Sequence, residues 1–550
     1  MTTHRSPIFA LSDSYVEKSA RLSPMGSTYL GITDLDDQLD DFSIAGRAVE
    51  ADLTRKTLAE LAALEPIDEI DRVAKAVMQE RLESSLLLHD SFESHIAFNV
   101  LTSPPADIRQ VFEMMSQDSD KAFENIAKRL LAVDKAHKSW ISTIDTVAKK
   151  GKTAAQRQVN GIAKQLEGYA NGGYIEMAKS IDPDGKYPAI HSAAIEAAKS
   201  AAETATYLRD TYMKLATPDD AVGAERYAVW ARYFTGANLD LRATYEWGLK
   251  DLAQITERMW KVAAKIKPEA KTLREVADYL DNAPEYKIHG KDAIIKKLLD
   301  FTQAAVKQMD GTHFDIDDRM KFCDARIAPD GSASAPYYMP PSEDMSRPGT
   351  TWLPLLGKDE VSWWHLASTW YHEAVPGHHL QIATTVLEKD RLSRFQRSGA
   401  WISGHGEGWA LYAERFMDDL GAFDEPGIEM GFLSAQALRA TRIVIDIGMH
   451  LGYADENGRV WDAVSGREAL MNKALLDESH ATSETDRYLG WPGQAISYKV
   501  GEREWIAARE NAKQRLGSEF SLKKFHAYAL RIGPMGLDTF ADELALWDGK

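Results

Sequence analysis

The sequence predicts a mostly α-helical protein with a small β-sheet set immediately before a histidine-rich helix. Three observations predict it. Apolar residues recur at three-to-four spacing through most of the first 300 residues. A segment rich in proline, glycine and aromatics breaks that pattern between Phe314 and Leu356. Helical periodicity then resumes from Val361 onward.

In the first half, Ile67 to Asp71 leads into DRVAKAVMQERLESSLLLHDSF, where Val73, Val77, Leu82, Leu86 and Leu87 mark one apolar face. SAAIEAAKSAAETATYLRDTYMKLA and the run from Leu239 to Lys267 read as further helices. Pro104-Pro105, Asp182-Pro183-Asp184-Gly185 and Pro218 punctuate them. This half offers core faces and solvated faces, and no assignable chemistry.

The segment FCDARIAPDGSASAPYYMPPSEDMSRPGTTWLPL suggests two or three short strands. Such a sheet either offers an edge to an extended peptide or acts as a structural clip, and the sequence leaves both open. The helices that follow are VSWWHLASTWYHEAVPGHHLQIATTVLEKD, interrupted at Pro376-Gly377, and EGWALYAERFMDDLG, stopping at Gly421. SAQALRATRIVIDIGMHLGY, SGREALMNKALLDES and PGQAISYKVGEREWIAARENAKQRLG complete the set. The expected organisation is a helical part over 1–310 and a part with strands and metal-binding helices over 311–550, joined as one continuous unit.

With 44% hydrophobic residues, 550 positions hold ample core material. The 83 acidic residues outnumber 65 basic ones, a formal net of -18. That balance gives no general attraction for nucleic acid or anionic membrane. Cys323 is the only cysteine, which excludes an intramolecular disulfide and a cysteine zinc site. No apolar stretch approaches the ~20 residues of a membrane span, and the N-terminal residues lack a signal-peptide core. A soluble, cytoplasmic protein is expected.

Three histidines and a glutamate fall within eight positions at His372-Glu373-Ala-Val-Pro-Gly-His378-His379. The pattern reads as a stretched H-E-x-x-H helix, in which two histidines hold zinc and the glutamate activates water. On a regular helix, residues six apart are separated by about 9 Å of rise and about 120° of phase. They cannot share one ion at roughly 2.0–2.1 Å. Pro376 removes the hydrogen bond that would end on the carbonyl of His372, and Gly377 accepts the backbone angles that follow. A bulge absorbing two residues brings His378 into the ligand position; His379 needs three, so His378 is preferred and His379 is given a supporting or substrate-binding role. The competing reading is a kinked helix whose histidines make ordinary hydrogen bonds.

A catalytic zinc site takes three protein ligands. SGHGEGWALYAE offers Glu407 as the third, with glycines at 404, 406 and 408 for close backbone approach; the competing reading of Glu407 is a solvated helix start. Glu414, two turns later on the same face, is placed to orient a ligand. Glu373 is the general base. Arg442, Asp446 and His450 recur at four-residue spacing, either as catalytic donors or as a buried Arg442–Asp446 ion pair. Tyr498 could donate to an oxyanion, while Arg442, Lys499 or Arg503 holds a substrate carboxylate.

HEAVPGHHLQ, EGWALYAE, the run from Arg442 to His450, PGQAISYKVG and YVEKSARLSPMGSTYLGI together resemble the bacterial domain-of-unknown-function family 885 over nearly the whole chain. Its members are commonly regarded as zinc peptidases. More distantly, the order of parts is similar to the helical clamshell gluzincins such as angiotensin-converting enzyme, neurolysin and the thermostable carboxypeptidases. The likeness implies a channel, with 1–310 forming one wall. It also implies one zinc ion on His372, His378 and Glu407, Glu373 as base, and His450 and Tyr498 as oxyanion donors. The expected activity is a zinc metallopeptidase for short peptides or N-acylated amino acids, with carboxypeptidase action favoured. A metal-dependent hydrolase of another amide or ester, and a metal-free helical binding protein, are the alternatives.

Overall fold

The computed structural model describes residues 5–329 and 335–550. The part of the expected strand segment at 330–334 lies outside the described residues. The chain is 68% helical, against five strands of three or four residues each among the described residues, so the mostly-α expectation holds.

Local signals account for the helix ends. Asp68 caps Glu69–Asp90 by accepting from the amide of Asp71, and Asp240 caps Leu241–Ile266 through Ala243. The helix Ser403–Asp419 stops just before Gly421, whose φ of 77° terminates it as expected.

The hydrophobic cores do not divide at residue 310. The largest joins both ends of the chain, packing Ile8, Val77 and Met259 with Trp364, Trp409 and Phe540. A second is confined to residues 25–216, around Trp140, Ile162 and Tyr212. Pro426–Leu451 is buried along nearly all of its length. Its apolar residues Ile443, Val444 and Ile447 pack with Tyr245 of Leu241–Ile266.

The predicted strand region forms a three-stranded sheet. β2 (Asp324–Ile327) runs parallel to β4 (Thr350–Leu353), and β3 (Tyr337–Met339) pairs antiparallel on its other side. A second ribbon, which periodicity did not show, pairs β1 (Lys287–His289) with β5 (Glu360–Ser362). Three-residue strands carry too little alternation to be read. β5 passes directly into the helix Trp363–Glu373 and so fixes its start. Among the described residues, no helix is long and apolar enough to cross a membrane.

Candidate metal centre

The stretched motif forms two helices rather than one bulged helix. Trp363–Glu373 ends at Ala374, with φ −97° and ψ −118°, and a new helix runs over His378–Leu387. The Val375–Pro376 peptide between them is cis. Within the break, the Gly377 amide donates to the Tyr371 carbonyl at 3.0 Å, and the His379 amide to Ala374 at 3.1 Å. The indole N–H of Trp409 reaches the carbonyls of Pro376 (3.0 Å) and Gly377 (3.1 Å), pinning the turn from the helix Ser403–Asp419. A Cβ on Gly377 would stand 1.9 Å from the His372 carbonyl oxygen, so only glycine fits there.

This turn brings the His372 and His378 rings to 4.7 Å between centroids, nearly perpendicular at 86°. Glu407 meets them from the neighbouring helix, its Oε2 3.2 Å from His372 Nε2 and 3.5 Å from His378 Nε2. One donor atom from each of the three residues lies within 4.8 Å of the others. Ligands at about 2.0–2.1 Å around a tetrahedral ion stand roughly 3.3–3.4 Å apart, so the two carboxylate–imidazole distances have the dimensions of a four-coordinate site. His378 Nδ1 is buried without a hydrogen-bond partner.

Behind His372, Nδ1 lies 2.8 Å from Glu414 Oε1, and Ser368 donates to the other oxygen of that fully buried carboxylate at 2.5 Å. Burial disfavours a charged His372, yet hydrogen bonds to Glu407 and Glu414 raise its pKa to about 9. Burial likewise opposes ionisation of Glu407, but His372 and His378 outweigh it and hold this carboxyl well below the usual range. Glu373 is buried beside the cluster, and its carboxyl makes no hydrogen bond among the described residues. Burial raises its pKa against the pull of His378 and His372. The base candidate and the ligand carboxylate, both glutamates, are thus driven in opposite directions.

Of the outer residues, Tyr498 stays close. Glu407 acts on it electrostatically and the Arg442 guanidinium stacks 4.7 Å from its ring. The others are committed elsewhere. Arg442 is not free for a carboxylate: it donates to Glu484 at 2.7 Å and to the Tyr488 hydroxyl at 2.8 Å. Nor does it pair with Asp446, which instead accepts from Tyr227 and the Gly493 amide. His450 cannot serve as an oxyanion donor, because its Nε2 faces the Tyr488 carbonyl at 3.1 Å and its Nδ1 accepts from the Val222 amide at 3.3 Å. Lys499 is buried between Gln436, Glu502 and Asp251. Arg503 covers the Trp247 ring and pairs with Glu504. His379 has no nitrogen for substrate or metal: Nε2 donates to the Met320 carbonyl at 2.8 Å and Nδ1 accepts from Tyr338 at 2.9 Å. Tyr338 lies on β3, so this contact ties the sheet to the metal-site turn.

The glycines around Glu407 serve helix packing rather than approach to an ion. A Cβ on Gly408 would stand 2.6 Å from the Gly501 backbone, and one on Gly501 only 2.0 Å from the Gly404 carbonyl. That contact draws the helix Ser497–Leu516, which bears Tyr498, against the helix bearing Glu407.

Sequence reasoning missed two residues at the site. Arg439 is buried 3.7 Å from Glu414 with its Nε unpartnered, and it acts on Glu373 electrostatically. Its position one turn before Arg442 was the available signal. Trp401, 55% exposed, holds its ring 6.1 Å from that of His378.

The fold is shared with two solved structures of similar length. A protein from Colwellia psychrerythraea, described as a "putative lipoprotein", superposes with a TM-score of 0.84 at 21% identity, covering 98% of each chain. A "putative lipoprotein of unknown function" from Shewanella oneidensis gives 0.76 at 18% identity, covering 98% of this chain and 100% of the other. No curated protein matches the sequence. The family model of the "bacterial protein of unknown function (DUF885)" matches residues 24–544, and the chain belongs to that family.

Proposed function

We propose that this protein is a zinc-dependent hydrolase, a metallopeptidase for short peptides or N-acylated amino acids. One observation carries the reading: two imidazole nitrogens and a carboxylate oxygen converge within 4.8 Å of one another, the carboxylate 3.2 and 3.5 Å from the two rings, with Glu373 beside them. Zinc held by His372, His378 and Glu407 would polarise the scissile carbonyl and acidify water. Glu373 takes the proton of the attacking water and returns it to the leaving amine. Burial raises its pKa, which favours holding the proton between the two steps. The Tyr498 hydroxyl, in the neighbourhood of Glu407, is the donor to the oxyanion that develops on the carbonyl.

The preference for carboxypeptidase action rested on Arg442, Lys499 and Arg503. All three are engaged elsewhere, so that preference loses its support. Arg439, 3.7 Å from Glu414, is a cation that acts on Glu373. The net charge of -18 supports a substrate that is neither nucleic acid nor an anionic membrane. A cytoplasmic location is retained as part of the proposal, with an envelope location, suggested by the descriptions of the two similar structures, as the competing result of cell fractionation.

Metal analysis after purification without chelator tests the ion, and a peptide library screened beside acyl-amino acids, other amides and esters tests the substrate. Glu373→Ala is expected to abolish turnover while leaving bound metal nearly unchanged. Unaltered turnover removes Glu373 as base. Absence of any metal affinity leaves the helical binding protein as the reading.

A further inference from the structure

A cavity of about 370 Å³ lies where the helices Pro7–Leu22, Ile44–Ala62 and Glu69–Asp90 meet, and shares no lining residue with the metal cluster. Arg47 and Glu50, one turn apart on Ile44–Ala62, both line it. Neither is satisfied by the protein. Arg47 Nε is buried without an acceptor, and among the described residues no carboxylate comes within ion-pair distance of its guanidinium. The Phe42 ring, 5.7 Å away, is its nearest aromatic cover. The Glu50 carboxylate likewise has no hydrogen bond or ion pair among the described residues. Burial raises its pKa to about 7, with Arg47 pulling the other way.

The remaining charged groups are accounted for. Asp40 accepts from the Ser23 hydroxyl and the Met25 amide, both at 2.8 Å. Asp41 accepts from the Ser43 amide. Burial lowers the pKa of His89, so that ring is neutral at pH 7. Asp107 acts on Arg47 only at long range. Arg47 and Glu50 are left half-buried on the cavity wall, one turn apart and not within ion-pair distance of each other.

The Arg47 Nε, buried without an acceptor, is a donor left unmade, which is costly unless a ligand supplies its partner. A guanidinium and a carboxyl that line one cavity without pairing are the complement of a ligand carrying both signs. The volume falls in the range of small-molecule sites, and Leu53 and Leu88 supply apolar wall. We infer that this cavity binds a free α-amino acid or a similarly small zwitterion, its carboxylate on Arg47 and its ammonium on Glu50. The site does not depend on the proposed peptidase activity.

The test uses the full chain. The twenty free L-amino acids are screened by thermal shift, and the best ligand is titrated by calorimetry. That amino acid is expected to bind, while its amide, lacking the carboxylate, and its N-acetyl form, lacking the ammonium, bind about tenfold more weakly or worse. Arg47→Met and Glu50→Gln are each expected to weaken binding by a similar factor. Arg47→Lys, which keeps the charge, retains part of it and guards against a variant that merely misfolds. Glu407→Gln is expected to leave the affinity unchanged. No binding by any amino acid overturns the inference. So does equal binding of the amide and N-acetyl forms, or binding lost in Glu407→Gln and kept in Arg47→Met, which assigns the ligand to the metal centre.

Discussion

His372 Nδ1 stands 2.8 Å from Glu414 Oε1, while Nε2 of the same ring faces Glu407 at 3.2 Å. When Nε2 gives up its proton, as metal ligation requires, Glu414 keeps the one on Nδ1 and the Nε2 lone pair is aimed at the point where His372, His378 and Glu407 meet. Glu414→Ala is therefore expected to lower zinc affinity by about 10- to 100-fold, read by competition with a chromophoric chelator. It also strips Arg439 of its nearest carboxylate, at a cost of about 3–5 kcal/mol. Glu414→Gln keeps an acceptor for the ring N–H and should lose less affinity. If both variants bind zinc like the parent, Glu414 has no part in setting the ring.

Gly377 carries the turn that makes the two histidines converge. A methyl group there meets the carbonyl oxygens of His372 at 1.9 Å and Tyr371 at 2.4 Å, both backbone and neither able to swing aside. Gly377→Ala is expected to destabilise the chain by about 1–3 kcal/mol and to abolish metal binding even where the protein still folds. Circular dichroism and metal content, measured on the same sample, check this. A folded variant with full zinc occupancy would contradict the role assigned to the turn.

The convergence of His372, His378 and Glu407 was legible because a defect exposed it. His372 and His378 cannot converge on a regular helix, and Pro376-Gly377 is the one place where the backbone could yield. Glu414 was legible from its seven-residue spacing to Glu407. What the sequence hid was the identity of the helix opposite each face. Arg442, His450 and Lys499 lie on faces that periodicity marks as buried, but their partners Glu484, Tyr488, Gln436 and Asp251 come from helices whose packing no local pattern encodes. The Trp409 clamp on Pro376 and Gly377 was hidden for the same reason. Helical content was readable almost throughout, whereas β1 and β5 were too short to show a period of two.

Trp401 is an exposed indole whose ring lies 6.1 Å from that of His378. On the peptidase reading, it offers a flat apolar face to a substrate group adjoining the scissile bond. Trp401→Ala is expected to raise KM about 3- to 10-fold for substrates with a large apolar group there. It should leave kcat, and KM for glycine-bearing analogues, nearly unchanged. A loss confined to kcat would instead make the indole part of the catalytic geometry.

Acid lability should show site by site. Burial holds His137 at about 4, His405 at about 3, His450 at about 4 and His526 at about 3, against 6.5 for a free imidazole. Below 6.5 the unfolded chain takes up protons that these rings refuse in the folded state, so their contribution is intact above 6.5 and is lost as pH falls toward 4. Glu50, Asp107 and Asp446, raised to about 7 by burial, act in the opposite sense, since ionisation of the unfolded chain above about 4 favours unfolding. The two sets oppose each other, and the overall pH profile cannot isolate either. A single replacement can. His137, whose Nδ1 meets the Ser200 hydroxyl at 3.0 Å, lies in the core of residues 25–216, apart from the metal centre. In His137→Gln, unfolding free energy measured in urea is expected to fall less steeply between pH 6 and pH 4.5, by up to about 1.4 kcal/mol per pH unit. Equal slopes in parent and variant would mean that His137 takes up its proton in the folded state, and that burial does not hold it neutral.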